Sequence, residues 1–100
     1  MTDSAMKISA MCDKLKALLL EKNRKYGDSA LNPVRIFSKA DPVEQIKVRL
    51  DDKFSRVRNE QGDEDEDVVM DIAGYSILLK IAIEDKKRHG ASNDHHQSRL

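Results

Sequence analysis

Aromatic side chains are scarce in this sequence, and tryptophan is absent. Phe, Trp and Tyr make up 4% of the 100 residues, whereas charged residues make up 36%. A chain of this length forms one domain near the lower size limit for a self-sufficient core, and few bulky side chains are available to fill it. This composition is typical of a small helical protein that shares its burial with another subunit.

Cysteine and net charge are also low. Cys12 is the single cysteine, which excludes an intrachain disulfide and a cysteine-rich zinc site. The formal net charge is zero at pH 7, so the chain has no general attraction to nucleic acid or to an anionic membrane.

Long hydrophobic runs are missing as well. The longest apolar stretches are too short and too interrupted to span a bilayer. The N-terminus also lacks the basic region and apolar core of a signal peptide. We therefore expect a cytoplasmic protein with no membrane contact.

The first helical segment carries its apolar residues on one face. We expect it to begin at Asp3 or Ser4, either of which can serve as the N-cap, and to end around Tyr26 and Gly27. The spacing predicts a buried face made of Ile8, Met11, Cys12, Leu15, Leu18 and Leu19. Cys12 is thus predicted to be a core residue rather than a reactive thiol.

Two further helices are predicted. Asp41 and Pro42 provide an N-cap and a first helical position, and a helix is expected over residues 43–59. Its apolar stripe consists of Val43, Ile46, Leu50, Phe54 and Val57. The third helix is predicted to begin in the acidic cluster DEDED, which suits a helix N-terminus, and to continue to about Lys87.

The sequence therefore predicts an all-α fold built from a three-helix protomer. A single helical domain is expected in residues 1–88, and a disordered polar tail in residues 89–100. Because a four-helix core needs one more helix than this protomer has, we predict a homo-oligomer, either a dimer or a higher assembly.

Asp71 lies in the otherwise apolar stretch VVMDIAGYSILL of the third helix. A carboxylate in apolar surroundings is costly unless it meets a cation or a strong donor. At about 100° per residue, the charged residues of the helix fall opposite Asp71, namely Lys80, Glu84 and Lys87. We therefore predict that Asp71 faces inward, on the same side as Gly74 and Tyr75.

Two other carboxylates share the face of Asp71. Glu64, Asp67 and Asp71 are spaced i, i+3 and i+7, so they repel one another on one helical face, and a divalent metal would relieve that repulsion. Two simpler interpretations stay open. Glu64 and Asp65 are solvated residues at a helix N-terminus, or Asp71 forms a structural ion pair with an arginine.

A polar stripe on the second helix supplies complementary groups. Asp52 lies opposite the apolar face, with Arg49 and Arg56 about one turn away and Lys53 beside it. Arginine can hold phosphate oxygens with two hydrogen bonds, and Mg²⁺ takes a few carboxylates while keeping room for phosphate and water. These residues therefore suit a phosphate-bearing ligand held through a metal, provided that another helix packs against this stripe.

Three stretches together resemble a known family. EKNRKYGDSA, RLDDKFSRVRN and DEDVVMDIAGYSILL are similar to the nucleotide modification associated domain 1 family, small helical proteins common in phages and bacteria. That family is related to the MazG-like all-α nucleoside triphosphate pyrophosphatases. The resemblance covers residues 14–84, and its most specific elements are Arg49-x-x-Asp52-Lys53-x-x-Arg56 and Asp67-x-x-x-Asp71-x-x-x-Tyr75.

The resemblance implies a MazG-like helical bundle and an Mg²⁺-dependent enzyme. Its reaction would hydrolyse a (deoxy)nucleoside triphosphate to a monophosphate and pyrophosphate. The implied catalytic residues are Asp52, Asp67 and Asp71, and Glu64 joins them as an implied metal ligand. The residues implied to bind the nucleotide and its phosphates are Arg49, Lys53, Arg56, Lys25, Tyr26 and Tyr75.

The acidic residues depart from the wider superfamily, which holds Mg²⁺ with Glu-x-x-Glu on one helix and Glu-x-x-Asp on the next. Glu44 is followed three residues later by Lys47, so the first pair is broken, whereas Glu64 and Asp67 fit the second. The alternative function is therefore a helical oligomer that binds or sequesters a nucleotide, or a nucleotide signal, without cleaving it. A third is a structural protein whose charged stripes form ion pairs between helices.

Overall fold

Three helices make up the described part of the chain. The computed structural model describes residues 2–33, 37–59 and 67–90. Helix α1 spans Asp3–Lys25, α2 spans Pro42–Asn59 and α3 spans Val68–Gly90, and these residues contain no strand. The predicted all-α class with three helices is confirmed. None of these helices is long and apolar enough to cross a membrane.

The first helix begins with a threonine cap. The Thr2 hydroxyl accepts a hydrogen bond of 3.0 Å from the backbone N–H of Ala5, which satisfies one of the unpaired N–H groups of the first turn. The prediction of Asp3 or Ser4 as the cap is wrong, because both residues already lie inside the helix. The helix ends where it was predicted to end, but the C-cap is Tyr26 rather than the predicted Gly27.

Aspartates cap the other two helices. The carboxylate of Asp41 accepts a hydrogen bond of 2.9 Å from the Glu44 N–H, and that of Asp67 accepts one of 3.0 Å from the Met70 N–H. The first cap confirms the predicted start of α2. Helix α3 begins just after Asp67 and extends to Gly90, past its predicted end. His89 and Gly90, which were assigned to the polar tail, are thus the last residues of α3. The rest of the predicted tail, residues 91–100, lies outside the described part.

The core lies between α2 and α3, which pack closely against each other. The buried apolar residues among those described are Val43, Ile46, Leu50 and Ala82. The two helices are antiparallel, because Asp41 before α2 pairs with Lys86 near the end of α3, while Lys53 late in α2 pairs with Asp71 in the first turn of α3.

Only the first half of the predicted α2 stripe is buried. Phe54 and Val57 belong to the same apolar stripe, but they are 55% and 50% exposed. The reason is the position of α3, whose first turn lies opposite Lys53. The last turns of α2 therefore extend past the beginning of α3.

Helix α1 makes a shorter contact with α3 and contains no buried residue. The two helices meet at Gly74, where a Cβ atom would lie 3.0 Å from Cδ2 of Leu19. The predicted core residues Ile8, Met11 and Cys12 are exposed. The correction has a simple cause, since no other helix among the described residues packs against the N-terminal half of α1.

Candidate functional site

A cavity of about 370 Å³ lies between α1, α2, α3 and the loop that follows α1. Its polar lining consists of Lys22, Asn23, Asp28, Ser29, Arg49 and Asp71. Two tyrosines, Tyr26 and Tyr75, line it together with several leucines. This volume falls in the range of small-molecule sites in proteins, and the combination of an apolar wall with a few polar groups is typical of them.

Asp71 lies where the three helices meet. Its carboxylate is 3.2 Å from Nζ of Lys53 on α2 and 3.6 Å from Nζ of Lys22 on α1. The side chains of Asp71 and Lys53 are each only 16% exposed. The prediction that Asp71 faces inward is confirmed, and the cations that compensate its charge are lysines rather than the arginine considered above.

Arg49 is the second cation of the cavity lining. It lies on α2, one turn before Lys53, and it is exposed. Arg49 forms no ion pair within the part of the chain that the structure describes. Because a guanidinium stays charged at any physiological pH, Arg49 presents a permanent positive charge to the cavity.

A tight turn after α1 brings the loop to the cavity. Gly27 and Asp28 both have positive φ angles, 65° and 61°, a region that glycine enters freely and aspartate tolerates. The Asp28 carboxylate accepts hydrogen bonds from Nδ2 of Asn23 at 2.7 Å and Nδ2 of Asn32 at 2.5 Å. These bonds fix the turn and place a second carboxylate in the lining.

The nucleotide-binding residues implied by the resemblance are only partly brought together. Tyr26, Tyr75 and Arg49 line the cavity. The Lys25 ammonium lies 5.4 Å from the centre of the Tyr26 ring, a cation–π distance, and is not itself part of the lining. Lys53 is not part of the lining either, but its ammonium contacts Asp71, which is.

Arg56 lies apart from the cavity lining. Its Nε is 3.3 Å from the carboxylate of Asp52, one turn earlier on α2, and the Asp52 side chain is 59% exposed. Both residues thus lie on the solvent side of α2 among the described residues. Their proposed roles with phosphate and metal stay predictions.

The implied metal ligands each have a different environment. Asp52 pairs with Arg56, Asp67 caps α3, and Asp71 pairs with two lysines. Glu64 lies outside the described residues. Within residues 2–33, 37–59 and 67–90, no three His, Cys, Asp or Glu side chains are placed to share a metal ion. Asp52, Asp67 and Asp71 therefore do not form a ready-made metal site, and Mg²⁺ binding stays a prediction.

The sequence interpretation missed four polar residues of the lining: Lys22, Asn23, Asp28 and Ser29. A signal for Lys22 was present, because it falls seven residues after Leu15 and four before Tyr26, on the apolar face of α1. A lysine on an apolar face requires a partner for the same reason that Asp71 does. The position of Lys22 thus marked it as a candidate site residue, but it did not identify Asp71 as its partner.

Comparisons of this chain with protein-family models, with curated proteins and with solved structures find no match. The resemblance to the nucleotide modification associated domain 1 family therefore stays a prediction. The observations that bear on function are the cavity, the charges around it and the helices that position them.

Proposed function

We propose that this protein binds a nucleotide through its phosphate groups in the cavity lined by Lys22, Arg49 and Asp71. The observation that carries the proposal is Arg49, which lines the cavity without an ion-pair partner in the described part of the chain. A guanidinium forms paired hydrogen bonds with phosphate oxygens. An anionic ligand would therefore compensate the positive charge of Arg49.

Lys22 is the second group proposed to contact phosphate. Its Nζ lies 3.6 Å from Asp71, longer than a strong hydrogen bond, and its side chain is 51% exposed. The ammonium thus keeps donors for another acceptor. Since Lys53 lies closer to Asp71, at 3.2 Å, Lys22 can turn toward a phosphate while Asp71 keeps a cation.

The aromatic part of the lining supports a nucleotide rather than inorganic phosphate alone. Tyr26 and Tyr75 line the cavity with Leu18 and Leu19, and stacking of a base on an aromatic ring contributes about 1–3 kcal/mol. Asn23 offers an amide for polar edges of the base or sugar. This lining therefore suits a ligand that has an apolar body and an anionic end.

Hydrolysis of a nucleoside triphosphate to monophosphate and pyrophosphate is the second candidate. The observation that favours it is a pair of carboxylates, Asp28 and Asp71, which line the same cavity as the cations. Mg²⁺ is commonly held by one or two carboxylates and takes its remaining ligands from phosphate and water. Two carboxylates suit an ion that arrives bound to the nucleotide. A metal site that exists before the nucleotide binds would need more acidic ligands.

The nucleotide-binding form is proposed to be a homo-oligomer. Only four apolar residues are buried among those described, and small cores commonly need a partner subunit for stability. This supports the prediction made from the low aromatic content.

The test is a titration of nucleoside tri-, di- and monophosphates into the full chain, first with Mg²⁺ and then with chelator, followed by chromatography of the mixtures. We expect the triphosphates to bind most tightly, because they offer the most anionic oxygens to Lys22 and Arg49. Monophosphate and pyrophosphate products that require Mg²⁺ would establish hydrolysis. Binding without products would establish a binding protein that does not hydrolyse the nucleotide. No binding of any nucleotide would refute the proposal.

A further inference from the structure

The two tyrosines that line the cavity differ in how much of the ring a ligand can reach. Tyr75 is half-buried and packs against the buried residues of the α2–α3 core. Tyr26 lies outside that core and is 59% exposed. A base that enters the cavity can therefore stack on the ring of Tyr26, whereas the ring of Tyr75 is largely engaged in packing.

The backbone that carries Tyr26 is held on both sides. Its N–H donates a hydrogen bond of 2.9 Å to the Lys22 carbonyl at the end of α1. On the other side, the carboxylate of Asp28 connects the turn to Asn23 and Asn32. A side chain on a fixed backbone loses less conformational entropy when a ligand binds to it. Tyr26 is thus well placed to contribute to binding.

The Lys25 ammonium lies over the Tyr26 ring, 5.4 Å from its centre. Lys25 does not belong to the cavity lining, although Tyr26 does. An ammonium over the cavity side of the ring would itself line the cavity, so the cation covers the opposite face. The face toward the cavity is therefore left for a ligand.

A cation on one face of a ring changes what the other face prefers. The faces of an aromatic ring are electron-rich, so two rings that stack directly face to face repel each other. A cation attracts this electron density toward itself, and the opposite face then repels the π electrons of a stacked base less. The gain is largest for a purine, because its fused rings present a larger and more polarisable face than a pyrimidine does.

We propose that the pair of Lys25 and Tyr26 makes the cavity prefer purine nucleotides. Tyr26 stacks on the base, and Lys25 is a positioning residue that acts through the Tyr26 ring. This inference rests on the proposed nucleotide site and names the class of base that the site takes. It also gives Lys25 a role other than direct contact with phosphate, in agreement with the position of its ammonium outside the lining.

Calorimetric titrations of adenosine, guanosine, cytidine and uridine triphosphates into the full chain test the proposal, with inorganic tripolyphosphate as a probe that has no base. For the wild type, we expect Kd values for the purine nucleotides about three- to tenfold lower than those for the pyrimidine nucleotides. Lys25→Gln should raise the purine Kd by about two- to fivefold and leave tripolyphosphate binding unchanged. Tyr26→Leu should bring the purine and pyrimidine Kd values together.

Lys16→Gln is the matched control, because Lys16 is exposed on the same helix and outside the lining, and it should keep the wild-type values. Equal Kd values for purines and pyrimidines in the wild type would overturn the proposal and leave the nucleotide site standing. A Lys25→Gln variant that loses as much affinity for tripolyphosphate as for purine nucleotides would do the same. If no nucleotide binds to the wild type, the proposed function fails and this inference fails with it.

Discussion

Asp71 connects the three helices through a single carboxylate. One lysine reaches it from α1 and another from α2, while Asp71 itself lies in the first turn of α3, where a negative charge also interacts favourably with the helix dipole. Because its side chain is only 16% exposed, the charge interactions are less screened than on an open surface.

Replacing Asp71 by Asn tests whether this carboxylate is structural. The variant keeps the shape of the side chain but leaves Lys53, which is also 16% exposed, without the Asp71 charge. We expect a loss of about 1–3 kcal/mol in the free energy of unfolding, less than for a fully buried pair because Lys22 is half exposed. Urea denaturation in chelator measures it.

Asp52→Asn is the matched control. Asp52 pairs with Arg56 on the solvent side of α2 and is 59% exposed, so its loss should change stability by no more than about 1 kcal/mol. If repulsion between Asp71 and other carboxylates dominates instead, removing the Asp71 charge relieves it. Asp71→Asn will then be as stable as the wild type, or more stable, in chelator. A wild type that is stabilised by Mg²⁺ while Asp71→Asn is not would then favour the metal site.

The inward orientation of Asp71 could be predicted from the sequence, since helical periodicity places Lys80 and Glu84 opposite it. Its partners could not be predicted in the same way. Lys22 and Lys53 are distant in the sequence and belong to two other helices, so their meeting depends on how the helices cross. The role of Asp67 as the cap of α3 could not be predicted either, because the spacing of residues does not distinguish a helix cap from a residue inside the helix.

At the scale of the helices, the contact between α1 and α3 depends on a residue without a side chain. Gly74 is buried, and a Cβ at that position would already approach Leu19 closely. A larger side chain would hold α1 away from α3 and would also displace Lys22, one turn further along α1. The position of the cavity wall therefore depends on this glycine.

Gly74→Val should weaken this contact. The added methyl groups would overlap Leu19, and we expect a loss of about 1–3 kcal/mol in stability together with weaker nucleotide binding. Ser76→Val is the control, since Ser76 is exposed on the same helix and receives the same side chain without the overlap. Thermal denaturation and a nucleotide titration compare the two variants; equal behaviour would contradict a close helix contact at Gly74.

The cap of α2 should make stability depend on pH. The Glu44 backbone N–H, and then the Lys86 ammonium, hold the pKa of Asp41 below its usual value. A lowered pKa means that the ionised carboxylate stabilises the fold above the usual value of about 3.9, and that this contribution is lost as the pH falls through the lower folded-state pKa.

Asp41→Asn keeps a capping oxygen but no charge, so it isolates this effect. Since Asp41 is partly exposed, we expect the wild type to be more stable by no more than about 1 kcal/mol at pH 7, with a difference that shrinks below about pH 4. Asp41→Ala, which also lacks the cap, should cost about 1 kcal/mol at neutral pH. A wild-type advantage over Asp41→Asn that grows as the pH falls would contradict the assignment.

At the scale of the whole molecule, the helices could be predicted but the way they cover one another could not. The apolar face of α1 has the same spacing whether it packs within its own chain or on a second one, so Ile8, Met11 and Cys12 were assigned to the core. Phe54 and Val57 continue the stripe of the buried Val43 and Ile46 and are nevertheless exposed, because periodicity does not show where the neighbouring helix begins.

A molecule stabilised by a second copy should melt at a temperature that depends on its concentration. Dissociation accompanies unfolding of a dimer, so mass action raises the melting temperature as the chain is concentrated. We expect this rise for the wild type over about a hundredfold range of concentration. Differential scanning calorimetry measures it, and a melting temperature that is independent of concentration would contradict the dimer.

Calorimetric titration of a nucleoside triphosphate into wild type, Arg49→Gln and Arg58→Gln tests the central claim most directly. Both arginines are exposed on α2, but only Arg49 lines the cavity. Loss of a charge-assisted contact of about 1.5–3 kcal/mol should raise the Kd of Arg49→Gln by about 10- to 100-fold, while Arg58→Gln binds like the wild type. Equal Kd values for the two variants, or no binding to the wild type, would contradict a nucleotide site in this cavity.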